Sequence, residues 1–328
     1  MFNSKILITG GTGSWGNELV KQLLEKNPKE IRIFSRNEAS QVAMQRKFNN
    51  NEKIKFIIGD IRDKDAVLKA SEQVDYIYHL AALKHVPICE YQPIETIKTN
   101  IIGTQFIIEA SIQNKVKKVI YISTDKAANP SNFYGMTKAI GEKMIIHANL
   151  LGSDTKFVCV RGGNVLGTNG SVIHVFRDHI HKLGEIGITD YRMTRFFLTL
   201  EEAIHLLFKA TEESLGGEIF VMKMPSCRIK DLAEVLIEDS GKKDIKIIEK
   251  GIRSGEKIDE ILLTNYESQS TYHYDDQYFV ILPTIDIKGL KEHYASYKKF
   301  ELETYSSGDR LMSKEEIKQM LRKGGFIA

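Results

Sequence analysis

Tyr134 and Lys138 stand four positions apart in the string Tyr-Gly-Met-Thr-Lys, a spacing that puts both side chains on one face of a helix. A phenol beside an ammonium is a proton-transfer pair. The cation favours phenolate, and the phenolate removes a hydroxyl proton while hydride leaves the same carbon. The lysine can also hold the ribose of a nicotinamide cofactor. By itself the spacing is frequent by chance, and a core tyrosine near a surface lysine is the competing reading. Its place one strand and one loop after Tyr-Ile-Ser-Thr-Asp-Lys (121–126) favours chemistry.

A second cluster suits a phosphate. The apolar run 5–9 leads into Gly10, Gly11, Thr12, Gly13, Ser14, Trp15 and Gly16, and a helical pattern follows. Glycines at this spacing let the backbone turn tightly and approach a pyrophosphate, while the helix N-terminus supplies partial positive charge. A glycine cluster alone marks only a turn; the strand before and the helix after make it a dinucleotide site. At the end of the next apolar run stands Ser35-Arg36-Asn37, where an NAD-selective enzyme offers a carboxylate to the ribose 2′-hydroxyl. A guanidinium pairs instead with a 2′-phosphate, so NADP is the expected cofactor; a solvated loop arginine is the alternative. Asp60, followed by Ile61, is placed to accept from the adenine amino group, and Leu80-Ala81-Ala82 to flank adenine and ribose without bulk.

These residues need a scaffold. Short β-branched runs (5–10, 31–35, 55–60, 74–82, 116–124 and 156–163) alternate with helical patterns at 16–27, 38–48, 64–72, 93–113 and 133–151. Such alternation predicts βαβ units, hence an α/β fold: a Rossmann-type doubly wound parallel sheet. Past Gly163 the pattern is irregular, with turn signals at 168–171, before a helical 201–213 and a strand-like 218–223. The expected division is a dinucleotide-binding domain of 1–165 plus about 195–223, and a smaller discontinuous α/β substrate-binding lobe of about 166–194 plus 224–328.

Composition sets outer bounds. The chain of 328 residues is 42% hydrophobic, enough for a large core. Its 46 basic and 43 acidic residues leave a formal charge of +3, so no global field attracts nucleic acid or a membrane surface. Three scattered cysteines, Cys89, Cys159 and Cys227, argue against a disulfide framework or a metal cluster and for a reducing, cytoplasmic setting. The apolar run from Phe2 to Ile8 lacks a signal-peptide pattern and the length to span a bilayer.

The strings ITGGTGSWG, IFSRNE, IGDIRD, AALKHVP, STDKAANP, NFYGMTK, GNV, MTRFFLTLEEA and RSGEK resemble those of the extended short-chain dehydrogenase/reductases. More narrowly they resemble the soluble UDP-N-acetylglucosamine 4,6-dehydratases of polysaccharide and nonulosonate biosynthesis, over nearly the whole chain. The resemblance implies a lyase in which Tyr134 takes the 4-hydroxyl proton, Lys126 removes the proton at position 5, Asp125 protonates the departing 6-hydroxyl, and Thr124 polarises the 4-oxygen. A lysine base needs a depressed pKa, which enclosure beside Lys138 is expected to supply. An exposed Asp125-Lys126 loop pair is the competing reading. The resemblance places Val165 with the cofactor and Lys84, Ser123, Asn164, Ser171, Arg195, Arg253 and Glu256 with the nucleotide-sugar; solvated surface positions are the alternative for each of these polar groups. It also implies a homo-oligomer, a dimer or hexamer. Tyr134 matches the enzymes that invert position 5, since many retaining relatives carry methionine there. Gly162 departs from the family, which usually has an aromatic residue, and leaves room in the pocket. The other readings are a nucleotide-sugar epimerase, which needs no elimination apparatus, and a non-catalytic dinucleotide sensor, which commonly lacks the tyrosine or lysine.

Overall fold

The computed structural model describes residues 3–168 and 171–327; Phe2 of the first apolar run and part of the expected turn, 169–170, lie outside them. In chain order the strands are β1 (Lys5–Thr9), β2 (Glu30–Ser35), β3 (Ile54–Ile58), β4 (Tyr76–His79), β5 (Lys118–Ile122), β6 (Lys156–Arg161), β7 (Asn164–Val165), β8 (Glu185–Ile188), β9 (Thr194–Leu198), β10 (Ile219–Met222), β11 (Ser226–Arg228), β12 (Lys246–Glu249), β13 (Ile261–Leu263), β14 (Thr271–His273), β15 (Tyr278–Ile281) and β16 (Tyr305–Ser306).

Nine of them form one sheet in the order β14-β15-β10-β6-β5-β4-β1-β2-β3. It is parallel from β3 to β10, because each of these pairs is bridged by a crossover that returns the chain to the same end. Helices cover both faces, so central strands such as Ile6-Leu7-Ile8 are wholly buried and read as continuous apolar runs. The strand order reverses between β1 and β4, which opens a crevice at their carboxyl ends. The helix Ser14–Glu25 buries Leu19, Val20 and Leu23, one stripe at helical spacing. The helix Phe133–His147 starts where the Asn132 side chain accepts from the Gly135 N–H, satisfying one of the free donors of its first turn.

A second, smaller core gathers Ile173, Phe176 and Ile180 of the helix Val172–Lys182, Ile186 and Ile188 of β8, Leu232, Val235 and Leu236 of the helix Ile229–Ser240, and Ile317 and Leu321 of the helix Lys314–Lys323. Two parts of the expected division need correcting. β9 does not join the large sheet; it lies between β11 and β7 in a three-stranded sheet. Conversely, β14 and β15, expected in the smaller lobe, extend the large sheet as an antiparallel hairpin. The Asp275 carboxylate accepts from the Gln277 and Tyr278 N–H groups and forms the hairpin turn. Phe279, Val280 and Ile281 then pack into the main core with Leu290 and Tyr294, so an apolar strand too short to stand out in the sequence is held by burial on both faces. Among the described residues no helix is long and apolar enough to cross a membrane.

One charged cluster lies inside the main domain. Arg161 of β6 is 1% exposed and donates from Nε and Nη2 to both Glu142 oxygens (3.0 and 2.7 Å), from Nη1 and Nη2 to both Glu267 oxygens (3.1 and 2.9 Å), and from Nη1 to the Leu262 carbonyl (2.8 Å). Burial opposes the charge on Arg161, but the two carboxylates outweigh it and raise the guanidinium further. Removing one partner strands charge in a dry interior. Glu142→Ala is therefore expected to cost about 3–5 kcal/mol in denaturant unfolding, whereas Asp178→Ala, which breaks the exposed Lys182 pair, is expected to cost under about 1 kcal/mol; equal losses would contradict this account.

Candidate active site

At the carboxyl end of the parallel strands lies a cavity of about 660 Å³. One side is the turn after β1, contributing Gly10, Gly13, Ser14, Trp15 and Gly16, with Leu80, Ala81 and Ala82 after β4. A Cβ on Gly16 would stand 1.9 Å from the Gly11 carbonyl oxygen, so only glycine lets the helix start so close to the turn. A Cβ on Gly13 would meet nothing nearer than 3.6 Å, which leaves that backbone open toward the cavity. A smaller cavity of about 190 Å³ shares Gly10, Ala81 and Ala82 and adds Thr12, Ser35, Arg36, Asn37, Asp60 and Ile61. Arg36 is exposed at its rim and makes no hydrogen bond or ion pair among the described residues. Asn37 already caps the helix Glu38–Lys47 through Ser40. Asp60 accepts from Arg62 through both its oxygens, and although burial works against it, these bonds hold its pKa below the usual carboxylate range. An open glycine backbone at a helix start, with a small adjoining pocket and a free guanidinium at its rim, fits the diphosphate and adenosine ends of a dinucleotide.

The far side of the large cavity holds Lys84, Ser123, Thr124, Lys126, Tyr134, Lys138, Asn164, Val165 and Ser171. Burial lowers the Lys84 amine. Tyr134 lies in the first turn of the helix Phe133–His147, and Gly135 lets that turn press on the loop carrying Lys126, since a Cβ there would stand 2.3 Å from the Lys126 carbonyl oxygen. Burial raises the Tyr134 pKa, and Lys126 and Thr124 lie close enough to work against the rise. Thr124 Oγ1 donates to Asp125 Oδ1 (2.8 Å), which also accepts from Lys126 Nζ (3.1 Å), and Lys126 Nζ lies 3.2 Å from Glu260 Oε1. Asp125 is 1% exposed and sits behind the cavity wall, so the pair is not a solvated loop contact.

Two electrostatic expectations change. Burial works against the Lys126 ammonium, but Asp125 and Glu260 outweigh it and raise its pKa, the reverse of the depression expected beside Lys138. Lys138 is the lysine that burial lowers, to about 7. Its Nζ lies 3.8 Å from the centroid of the Tyr121 ring, and the cation that favours Tyr134 phenolate is Lys126. Burial outweighs that help and pushes Tyr134 up to about 12.

Three expected substrate residues are not brought to the cavity lining. Arg195 points inward: Nη1 donates to the Thr194 and Ile258 carbonyls (2.6 and 3.0 Å), Nη2 to that of Lys257 (3.1 Å), and Nε lies 3.6 Å from Glu260. Arg253 has a 72% exposed side chain paired with Glu256 at 4.0 Å. In both cases a charged partner close in sequence or space satisfies the group away from the cavity.

Other positioning groups carried no sequence signal. His79 is buried between Thr9 (2.7 Å) and Thr104 (3.1 Å), and burial, with Lys138 nearby, lowers it to about 3, so it is neutral. Asn100, in a π-helical turn spanning Lys98–Ile102, accepts from the Leu83 N–H (2.8 Å) and donates to the Leu83 carbonyl and to Thr137 (both 3.0 Å), which ties the loop of Lys84 to the helix of Tyr134. The Phe326 ring packs under Gly167, where a Cβ would stand 2.2 Å from it, and edge-on to His174. It thereby packs between Gly167 and the helix Val172–Lys182. A Cβ on Gly162 would meet only Leu198, at 3.9 Å, so the cavity is open at this position.

A match to a family described as polysaccharide biosynthesis protein covers residues 6–282. A UDP-N-acetylglucosamine 4,6-dehydratase (inverting) of Campylobacter jejuni subsp. jejuni serotype O:23/36 is 45% identical over 88% of this chain and 85% of its own. A UDP-glucose 4-epimerase of Rickettsia canadensis is 40% identical over 100% of this chain and 98% of its own. Among solved structures, Pen from Bacillus thuringiensis superimposes with a TM-score of 0.91 at 40% identity, covering 98% of this chain and 99% of that one.

The lowered Lys138 has a consequence for stability. Between about pH 7 and the ordinary lysine value of about 10.4, the unfolded chain keeps a proton that the folded chain has released. The contribution is present above the ordinary value and is lost as pH falls toward 7. Unfolding free energy of the cofactor-free protein is expected to rise from pH 7 to 9, and Lys138→Met to flatten the rise; an equally steep rise in the variant, by urea titration at three pH values, would rule this out. Lys126, shifted the other way, acts only above the ordinary lysine value.

Proposed function

Because the chain belongs to the polysaccharide biosynthesis protein family of extended short-chain dehydrogenase/reductase enzymes, we propose that it is an NADP-dependent UDP-N-acetylglucosamine 4,6-dehydratase that inverts position 5. The observation that carries this reading is that Thr124 and Lys126, which line the cavity beside Tyr134, both bond to the buried Asp125 carboxylate behind them. A 4-epimerase, the name carried by the Rickettsia relative, needs the tyrosine and a dinucleotide but has no use for a buried carboxylate and ammonium beside them.

Backbone groups of Gly10 to Gly16, with Ser35, Arg36, Asn37, Asp60, Ile61, Leu80, Ala81, Ala82, Lys138 and Val165, would hold the dinucleotide. When bound it supplies a hydride acceptor and donor. Tyr134 takes the 4-hydroxyl proton, and Thr124 turns its hydroxyl from Asp125 to polarise the same oxygen. A ketone at position 4 acidifies the proton at position 5, which Lys126 removes, while Asp125 gives a proton to the leaving 6-hydroxyl. Lys84, Ser123, Asn164 and Ser171 face the sugar nucleotide. Ser123 and Ser171 suit this task, since the buried Oγ of each has no hydrogen-bond partner among the described residues. Arg195 serves the reaction through Glu260, and Arg253 and Glu256 reach a diphosphate only by moving. The active species is a homo-oligomer in the cytoplasm.

Proton NMR of UDP-N-acetylglucosamine incubated with protein and NADP in deuterated water is expected to show a new 6-methyl signal with deuterium at position 5. Epimerised sugar without a methyl signal would favour the epimerase. Arg36→Asp is expected to weaken NADP binding by about 1.5–3 kcal/mol, the worth of a charge-assisted hydrogen bond, and to leave NAD binding no weaker. Titration calorimetry with both dinucleotides checks this, and equal affinities of the unmodified protein would refute it.

A further inference from the structure

Glu260 reaches Lys126 from behind the cavity wall, on the segment before β13, far along the chain from the Asp125-Lys126 turn. It is 3% exposed. Its backbone is fixed by Ser307, whose Oγ accepts from the Glu260 N–H and whose N–H donates to the Glu260 carbonyl, both at 2.9 Å. Oε1 lies 3.2 Å from Lys126 Nζ and 3.6 Å from Arg195 Nε, while Oε2 is buried with no hydrogen-bond partner among the described residues. The charged and titratable groups around Lys126 are Asp125 on its own turn, Tyr134 from the helix Phe133–His147, Arg195 from β9, and Lys257 and Glu260 from the segment before β13. Lys257 is tied to the Asn129 carbonyl and Arg195 to three carbonyls. An ammonium between two carboxylates cannot take up a proton until it has lost one.

We infer that Glu260 is a positioning residue of the dehydration, whose carboxylate accepts the Lys126 ammonium proton so that Lys126 can act as the base. This rests on the dehydratase reading and adds the step it lacks. The proton passes from Nζ to the Glu260 carboxylate, giving a neutral amine and a carboxylic acid. The amine then takes the proton at C5, leaving an enolate on the 4-oxygen, and passes that proton to the Asp125 carboxylate. Asp125 gives it to the 6-hydroxyl, which leaves as water as the C6–O bond breaks and the enolate electron pair forms the C5–C6 double bond. Glu260 then returns its proton to Lys126, which restores the starting protonation. Because the internal transfer exchanges no proton with solvent, its extent does not depend on pH.

The test is deuterium incorporation at C5 of UDP-N-acetylglucosamine, by NMR with holoenzyme from pH 6 to 9. The unmodified enzyme is expected to give a flat profile. Glu260→Gln, whose amide cannot take the proton, is expected to lose tenfold or more at pH 7 and to recover about tenfold per pH unit as solvent deprotonates Lys126, with KM for the sugar nucleotide little changed. Glu260→Asp keeps a carboxylate and is expected to keep a flat profile at a lower rate. A merely structural role would lower the Glu260→Gln rate by the same factor at every pH, or act through KM, and either result overturns the inference. So does an unmodified enzyme whose own exchange climbs tenfold per unit, which needs no variant to observe. Absence of both C5 exchange and 6-methyl product in the unmodified enzyme overturns the dehydratase reading itself, and the inference with it.

Discussion

The buried ion cluster of Arg161, Glu142 and Glu267 fixes the two walls between which any chemistry must occur. Glu142 stands four positions beyond Lys138 on the same helix, so the guanidinium of β6 sets the rotation and height of the helix that carries Tyr134. Glu267 and the Leu262 carbonyl tie the segment on either side of β13 to the same point, and that segment carries Glu260. Bringing three charged groups out of water is costly, and an apolar cluster of equal volume would often stabilise as much. What the cluster adds is direction. Its bidentate bonds tolerate little rotation, while apolar contacts would let the helix slide by fractions of an ångström that proton transfer does not forgive.

Much of the site was legible because it is local. The glycine turn, the Tyr134 and Lys138 spacing, and the alternation of short apolar runs with helical stripes each depend on residues within a few positions, where periodicity and backbone geometry act directly. Arg36 and Asp60 were placed by the same logic, since both follow the ends of adjacent strands. What escaped depends on long-range packing. Glu260 carries no local signal, and only the fold sets it against Lys126. The direction of the Lys126 shift follows from that contact, so it could not be read from the neighbouring Lys138. Arg195 was expected on the nucleotide-sugar but turns its guanidinium to the Thr194, Ile258 and Lys257 carbonyls, because strand alternation does not say which carbonyls await a guanidinium inside. The β14–β15 hairpin was misassigned because three-residue and four-residue strands carry little pattern of their own and draw their stability from the aromatic layer around Tyr272, Tyr274, Tyr294 and Tyr297.

Some of the buried polar atoms without a hydrogen-bond partner among the described residues, such as those of Thr99, Tyr121 and Ser153, belong to the framework, and the others lie at the working surface. Within the fold, polar side chains such as His79, Asn100 and Thr104 are paired on every side. Near the cavity, Ser123, Asp125, Ser171 and Glu260 each retain a buried oxygen with no hydrogen-bond partner among the described residues. Such atoms cost stability, and the ones beside the cavity are those expected where hydrogen-bonding capacity is kept for something other than the chain itself.

The support that Phe326 gives to Gly167 also orders events in time. The dinucleotide side of the cavity is built from residues that leave the ribosome early, since Gly10 to Lys138 supply nearly all of it. The late part of its opposite side, around Ser171, rests on a core closed by Ile317 and Leu321 and propped by Phe326. At ordinary elongation rates of about 5–20 residues per second, these come on the order of ten seconds or more after Lys138. For that interval a nascent chain can hold one end of its pocket in near-final form while the other is still unmade, so nucleotide capture can precede any competence to bind a second molecule.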